Sequence, residues 1–294
     1  MSSGLAHPQT QVRPEQGFEV YVLRNEGLEV AVVPELGAKI ISLKNLRTGR
    51  EWMWHPASGL KLFRNRLGDN FSGSPLAGAD ECLPTIAPCC VQGRELPDHG
   101  EVWSASWKVK GQCWEKGILK TSCELPISPF EFERTIELQG QQIQLDYRLK
   151  NRSLLTEPYL WALHPLLAVQ PGDHLRMPAT TRALLNGEAW IDALDSVVPD
   201  GGCSKVFASP IVEGIAGVYN QHSGDRLSLA WNPAENNTLG LWLTRGGWHG
   251  HHHVAVEPTN GAPDQLAVAV KNQRCGAISA LGSKTWSVTL RVEP

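Results

Sequence analysis

The chain has no run of lysine and arginine and no apolar window long enough to span a membrane, and its formal charge over 294 residues is only −3. Proteins that track phosphates or lie on anionic lipid carry clustered basic side chains, so the composition argues against nucleic acid and membrane as partners. A small neutral ligand suits it better. The first residues lack a basic segment followed by an apolar one, from which an unexported, cytoplasmic protein is expected. Paired cysteine spacing is missing too. The seven cysteines, Cys82, Cys89, Cys90, Cys113, Cys123, Cys203 and Cys275, are odd in number and lack the spacing of zinc ribbons or redox dithiols, so they read as reduced thiols. Cys123 and Cys275 lie in alternating patterns that suit small buried hydrophobes.

Helical periodicity is scarce. Only Ala183 to Leu194 could carry a short helix, and Asn186-Gly187 interrupts it. There is no internal repeat and no low-complexity linker, so one domain over residues 18–294 is expected after a flexible segment at 1–17. What fills that domain is alternation of period two. Between Gln141 and Leu149 the residues Ile143, Leu145, Tyr147 and Leu149 alternate with polar ones, and Trp286, Val288, Leu290 and Val292 do the same near the end. Further β-type runs stand at Phe18–Leu23, Leu28–Val33, Lys39–Leu43, Trp103–Val109, Ile118–Cys123, Phe130–Leu138, Gly217–Asn220, Arg226–Trp231 and Leu239–Thr244, many of them separated by turn formers. The fold class is all-β, with large antiparallel sheets packed face to face. Ala57 to Pro97 is weakly patterned and rich in Gly, Pro, Asn and Asp; a loop of that length is usually functional and is expected to help form a site.

Ionisable residues embedded in apolar runs point to where that site is. In Trp248-His249-Gly250-His251-His252-His253-Val254-Ala255-Val256-Glu257-Pro258 an extended strand would place His249, His251, His253 and Glu257 on one side. His164 lies upstream in Leu160-Trp161-Ala162-Leu163-His164-Pro165, where an imidazole is costly unless hydrogen-bonded. A carboxylate and an imidazole in one apolar cleft are the minimum equipment for moving protons at neutral pH. Asp80-Glu81 lies in the long weakly patterned stretch and could bond the hydroxyl groups of a small ligand. Of the 11 tryptophans, Trp161, Trp242 and Trp248 are candidates for a wall on which the apolar face of a small ligand stacks, while Trp52, Trp107, Trp231 and Trp286 sit in strand patterns that burial explains. Each residue has a plainer reading: a core histidine at 164, an edge ion pair at 257 and a solvated acidic turn at 80–81, and His99, at the turn Pro97-Asp98-His99-Gly100, reads on its own as an ordinary loop residue. The histidine run could chelate zinc or copper, or it could form a ligand-facing wall.

Val33-Pro34-Glu35-Leu36-Gly37-Ala38-Lys39-Ile40-Ile41-Ser42-Leu43 with Thr48-Gly49-Arg50-Glu51-Trp52, then Asp98-His99-Gly100-Glu101-Val102-Trp103, Leu163-His164-Pro165 and Val256-Glu257-Pro258, resembles in order the aldose 1-epimerase, or galactose mutarotase-like, superfamily. The resemblance implies a β-supersandwich with a sugar cleft across one concave sheet. It also implies Glu257 as general base, His164 as general acid, His99 near the ring oxygen and Arg66 on sugar hydroxyls. No clean counterpart of the galactose-type sugar-binding aspartate is present, so galactose is not implied. Anomer interconversion removes a proton from the C1 hydroxyl and protonates the ring oxygen, which needs one base and one acid and neither metal nor organic cofactor. The expectation is an isomerase that opens and recloses a free aldose or related sugar. The alternatives are a noncatalytic carbohydrate-binding protein on the same scaffold and a metal-dependent sugar isomerase or oxygenase.

Overall fold

A computed structural model describes residues 8–178 and 200–293. The expected helix over Ala183–Leu194 lies outside the described residues. Two large antiparallel sheets dominate the rest. The first has nine strands in the order Gln9–Glu15, Phe18–Arg24, Leu28–Val33, Lys39–Asn45, Ala79–Cys82, Ala162–Leu167, His252–Thr259, Thr238–Arg245 and Cys203–Ala208. The second has eight, in the order Asp173–Arg176, Ile215–Asn220, Arg226–Trp231, Ser283–Glu293, Gln142–Asn151, Phe130–Gln139, Ile118–Glu124 and Lys108–Val109.

Period-two patterning builds the second sheet directly. In Phe130–Gln139 the side chains of Phe130, Phe132, Arg134, Ile136 and Leu138 are buried while the intervening residues are only partly so, and the strand pairs residue by residue with Gln142–Asn151. Only Gly140 and Gln141 connect them, and Gly140 takes φ +56°, the left-handed conformation that tight hairpins require. The first sheet turns one face to this layer. Leu163, Leu241, Val254 and Val256 join Ile136, Leu145 and Val288 in one core cluster, whereas Leu166 and Ala255 belong to a separate cluster on the other face with Trp54, Phe71, Leu76 and Trp103.

Several expectations are corrected. Residues 9–15, expected in a flexible segment, form an edge strand paired with Phe18–Arg24 across Gln16-Gly17. Its side chains are almost all exposed and it contains Pro14, so it lacks the alternation that marks a half-buried strand. Trp103–Val109 is a strand only at Lys108–Val109; Trp103 and Trp107 are buried, and their indole N–H groups donate to the carbonyls of Asp98 and Val102, so the apolar residues anchor turns instead. The weakly patterned stretch 57–97 contains the central strand Ala79–Cys82 and the hairpin Cys89–Val91 with Arg94–Leu96. Two short helices, Gly111–Trp114 and Leu266–Lys271, were not legible in the pattern.

Candidate active site

Register across the middle of the first sheet brings the site together. His164 pairs with Asp80 on one neighbouring strand, and the pairs Ala162 with Thr259 and Leu166 with Ala255 on the other bring it level with Glu257. Glu257 in turn pairs with Gly240. Side chains two apart share a face, so His253, Ala255 and Glu257 point the same way as His164 and Leu166. The Nε2 atom of His164 stands 3.5 Å from Glu257 Oε1. On the far side of the carboxylate, Lys205 Nζ donates to Glu257 Oε2 at 2.5 Å and lies 3.8 Å from Asp264 Oδ1. Gly240 leaves room for this group: a Cβ there would stand 3.0 Å from Glu257 Oε2.

A loop closes one side. His99, in the left-handed region at φ +56°, shares a hydrogen bond of 2.9 Å between its Nδ1 and Asp98 Oδ1, and the Phe71 amide donates to Asp98 Oδ2 at 2.9 Å. One carboxylate thereby fixes a stacked pair, since the His99 ring lies on Phe71 at 3.8 Å between centroids and meets His164 edge-on at 5.3 Å. Trp242 and Trp248, edge to face at 5.6 Å, and His253 form the opposite wall. Between these walls lies a cavity of about 320 Å3, lined among others by Phe71, His99, His164, Lys205, Trp242 and His253.

Burial sets the electrostatics. The Glu257 carboxyl is held above its ordinary value because it is buried, with Asp264 adding to the effect and Lys205 opposing it. Burial would depress Lys205, but the carboxylates of Glu257 and Asp264 outweigh it and hold the ammonium above the usual lysine value. His164 is pushed well below 6.5, first by burial and then by neighbouring cationic groups including His99 and Lys205. His253 is pushed down to about 3, by burial and by His251 and His252. The burial of His164 therefore favours its neutral imidazole form.

Of the residues expected at the site, His99, His164, His253, Trp242 and Trp248 line the cavity. Glu257 is wholly buried beneath it, and Asp80 is buried beside His164 with Lys39 Nζ 2.9 Å from its carboxylate. Glu81 and Trp161 are not there. Both point into the core between the sheets, where Glu81 accepts from Arg134, Tyr147 and Trp161 at 2.9, 2.9 and 2.8 Å. The alternation that puts Asp80 on the site face puts Glu81 on the other. Arg66 lies on an exposed loop, its amide donating to Asp69, and does not line the cavity. The histidine run is not one extended face: His249 and Gly250 both have positive φ, and the strand begins at His252. His251 packs between Trp54 and Trp248, 4.7 and 5.5 Å between centroids, rather than lining the cavity. Among the described residues no three His, Cys, Asp or Glu side chains are grouped to hold a metal ion. Sequence reasoning missed Lys205, Asp98, Asp264 and Phe71. Only Asp98 had a signal, as the neighbour of His99.

No family model matches the chain, and no curated protein sequence does. Solved structures match throughout its length. The Slr1438 protein from Synechocystis sp. PCC 6803 superposes with a TM-score of 0.74 at 18% identity, covering 100% of this chain and 99% of that one. A galactose mutarotase related enzyme from Lactobacillus acidophilus gives 0.71 at 14% identity, covering 94% and 97%. A galactose mutarotase-like protein from Clostridium acetobutylicum gives 0.72 at 12% identity, covering 98% and 99%. The fold is galactose mutarotase-like. At these identities the mutarotase-like neighbours carry the architecture, and the chemistry rests on the residues of the cavity.

Proposed function

We propose that the protein is an aldose 1-epimerase-like isomerase that interconverts the α and β anomers of a free aldose or related sugar. One observation carries this reading: His164 and Glu257 stand 3.5 Å apart at the base of a cavity with aromatic walls. A catalytic hydrogen bond is often long without substrate and tightens when it binds. Buried polar atoms support it. Glu257 Oε1, His164 Nδ1, Asp264 Oδ1 and both ring nitrogens of His253 have no hydrogen-bond partner among the described residues. Each such atom costs about 1–3 kcal/mol unless something binds it, and sugar hydroxyls can both donate and accept. Ring opening takes a proton from the C1 hydroxyl and gives one to the ring oxygen. No electrons leave the sugar, so the reaction calls for no redox cofactor.

A noncatalytic sugar-binding protein is the second reading. It is favoured by the Lys205–Glu257 ion pair, which occupies the carboxylate that would serve as base. Anomer-exchange NMR over unmodified and phosphorylated aldoses separates the two. The isomerase is expected to exceed the spontaneous rate on at least one sugar, and Glu257→Gln and His164→Asn should each lower kcat by at least about a hundredfold while sugar affinity changes far less. Sugar binding with no acceleration identifies the binding protein.

A further inference from the structure

Glu257 has a different neighbour at each oxygen. His164 Nε2 faces Oε1 at 3.5 Å, and Lys205 Nζ donates to Oε2 at 2.5 Å. The lysine comes from an outer strand, where it pairs with Trp242, and its side chain crosses Thr238–Arg245 to reach Glu257 on the strand beyond. Gly240, opposite Glu257, keeps that crossing open, since a Cβ there would stand 3.0 Å from Glu257 Oε2. Imidazole, carboxylate and ammonium thus form a row along the base of the cavity. An ammonium has three N–H donors, and Glu257 takes one of them. Lys205 lines the cavity with its side chain 20% exposed, and beside it stands Asp264, whose Oδ1 is 3.8 Å from Nζ and has no hydrogen-bond partner among the described residues. One end of the row therefore offers both a donor and an acceptor.

In an aldose ring C1 carries the ring oxygen O5, the hydroxyl oxygen O1 and the carbon C2, so placing two of these directs the third. On the isomerase reading O1 lies at Glu257 and O5 at His164, which turns C2 away from His164 and toward Lys205 and Asp264. Resting on that reading, we infer that Lys205 and Asp264 form a subsite for the 2-hydroxyl and restrict the enzyme to aldoses that carry one. The ammonium donates to O2, and the O2 hydroxyl donates to Asp264 Oδ1. A hydroxyl can do both at once, whereas a hydrogen at C2 does neither and leaves both groups of the subsite unmatched. Rotation about C1–C2 in the open-chain aldehyde moves O1 and leaves O2 in place. The subsite therefore holds both anomers and the intermediate by the same atom. Lys205 also fixes Glu257 through Oε2, which leaves Oε1, without a hydrogen-bond partner among the described residues, as the oxygen free to meet the C1 hydroxyl.

The test is a double-mutant cycle whose second change is made in the sugar. Anomer-exchange NMR compares wild type with Lys205→Met and Asp264→Ala on D-glucose, D-galactose and D-ribose, on the 2-deoxy form of each, and on the 6-deoxy forms of the two hexoses. Every rate is taken above the spontaneous rate of that sugar. In the wild type, loss of O2 is expected to lower kcat/KM at least about tenfold, because a site built around a hydroxyl rejects the analogue that lacks it. Either variant should handle a 2-deoxy sugar within about threefold of its parent, while loss of O6 changes wild type and variants by the same factor. A lysine that only supports the fold or neutralises Glu257 would slow all the sugars alike and keep the wild-type 2-deoxy ratio, and the subsite then falls. If Lys205→Met does not fold, Asp264→Ala carries the comparison, since residue 264 is held by its backbone carbonyl, which accepts from the amides of Ile86 and Ala87 at 3.0 and 2.9 Å. Wild-type turnover of a 2-deoxy aldose as fast as its parent equally overturns the assignment. A wild type that accelerates no aldose removes the isomerase reading and this subsite together, whereas an active enzyme whose 2-deoxy ratio is the same in both variants removes the subsite alone.

Discussion

His253 is wholly buried on the cavity face, and neither ring nitrogen has a hydrogen-bond partner among the described residues. Its imidazole is held down to about 3 by burial and by His251 and His252, against 6.5 for the free side chain. Below pH 6.5 the unfolded chain binds a proton at this residue that the folded chain refuses until about pH 3. The unfolded state then binds more protons, so stability is intact above the upper value and falls as pH drops through the window, by about 1.4 kcal/mol per pH unit from this group. Denaturant unfolding at a series of pH values should show this slope in the wild type and a shallower one in His253→Asn; equal slopes would mean that His253 is not buried as a neutral ring. His164, depressed for the same first reason, acts with the same sign. The two histidines show what was legible at this scale. An imidazole in an apolar strand announces a cost, and both sit in the cavity wall. The burial that depresses them depends on neighbours from other strands and loops, and nothing local to the sequence reports it.

Elements, more than single residues, hold the loop wall in place. His99 reaches the cavity because the chain turns through two left-handed residues, His99 and Gly100, at φ +56° and +75°. Gly100 lies against the neighbouring segment, and a Cβ there would stand 2.1 Å from the Leu83 carbonyl oxygen. That oxygen also accepts from the Glu101 amide at 2.7 Å, so it cannot retreat without cost. Gly140 offers a control, with φ +56° and nothing within 4 Å of the place a Cβ would take. Left-handed strain alone costs about 1–2 kcal/mol per residue, so Gly140→Ala should lose about that much. Gly100→Ala should lose several kcal/mol by chemical denaturation and should weaken sugar binding, because the stack of His99 on Phe71 moves with the turn. Equal losses at the two positions would place the turn outside the site. Regular strands such as Phe130–Gln139 were readable because one face is buried and the other is not. Ala79–Cys82 was not readable, because all four of its residues are buried, two of them as acids on opposite faces.

At the scale of the whole molecule all seven cysteines are free thiols, and only Cys90 and Cys203 are exposed. Intact-mass measurement after alkylation under denaturing, nonreducing conditions should count seven reactive thiols; reductant-sensitive loss of two or more would overturn the reading of a reduced protein. No helix among the described residues is long and apolar enough to cross a membrane. The all-β architecture and most of the inner strands follow from period-two alternation, which is local and survives in a single sequence. So does the presence of Glu257 and His164 in apolar surroundings. The pairing of distant strands is nonlocal: His164 meets Asp80 and Glu257 from chain segments 84 and 93 residues away only because sheet register aligns them. Register also sent Glu81 and Trp161 into the core and brought Lys205 from an edge strand onto the Glu257 carboxylate. Alternation specifies that a side chain faces one way or the other, and only the packed sheets decide which face is core, which is cavity and which charge stands next to which.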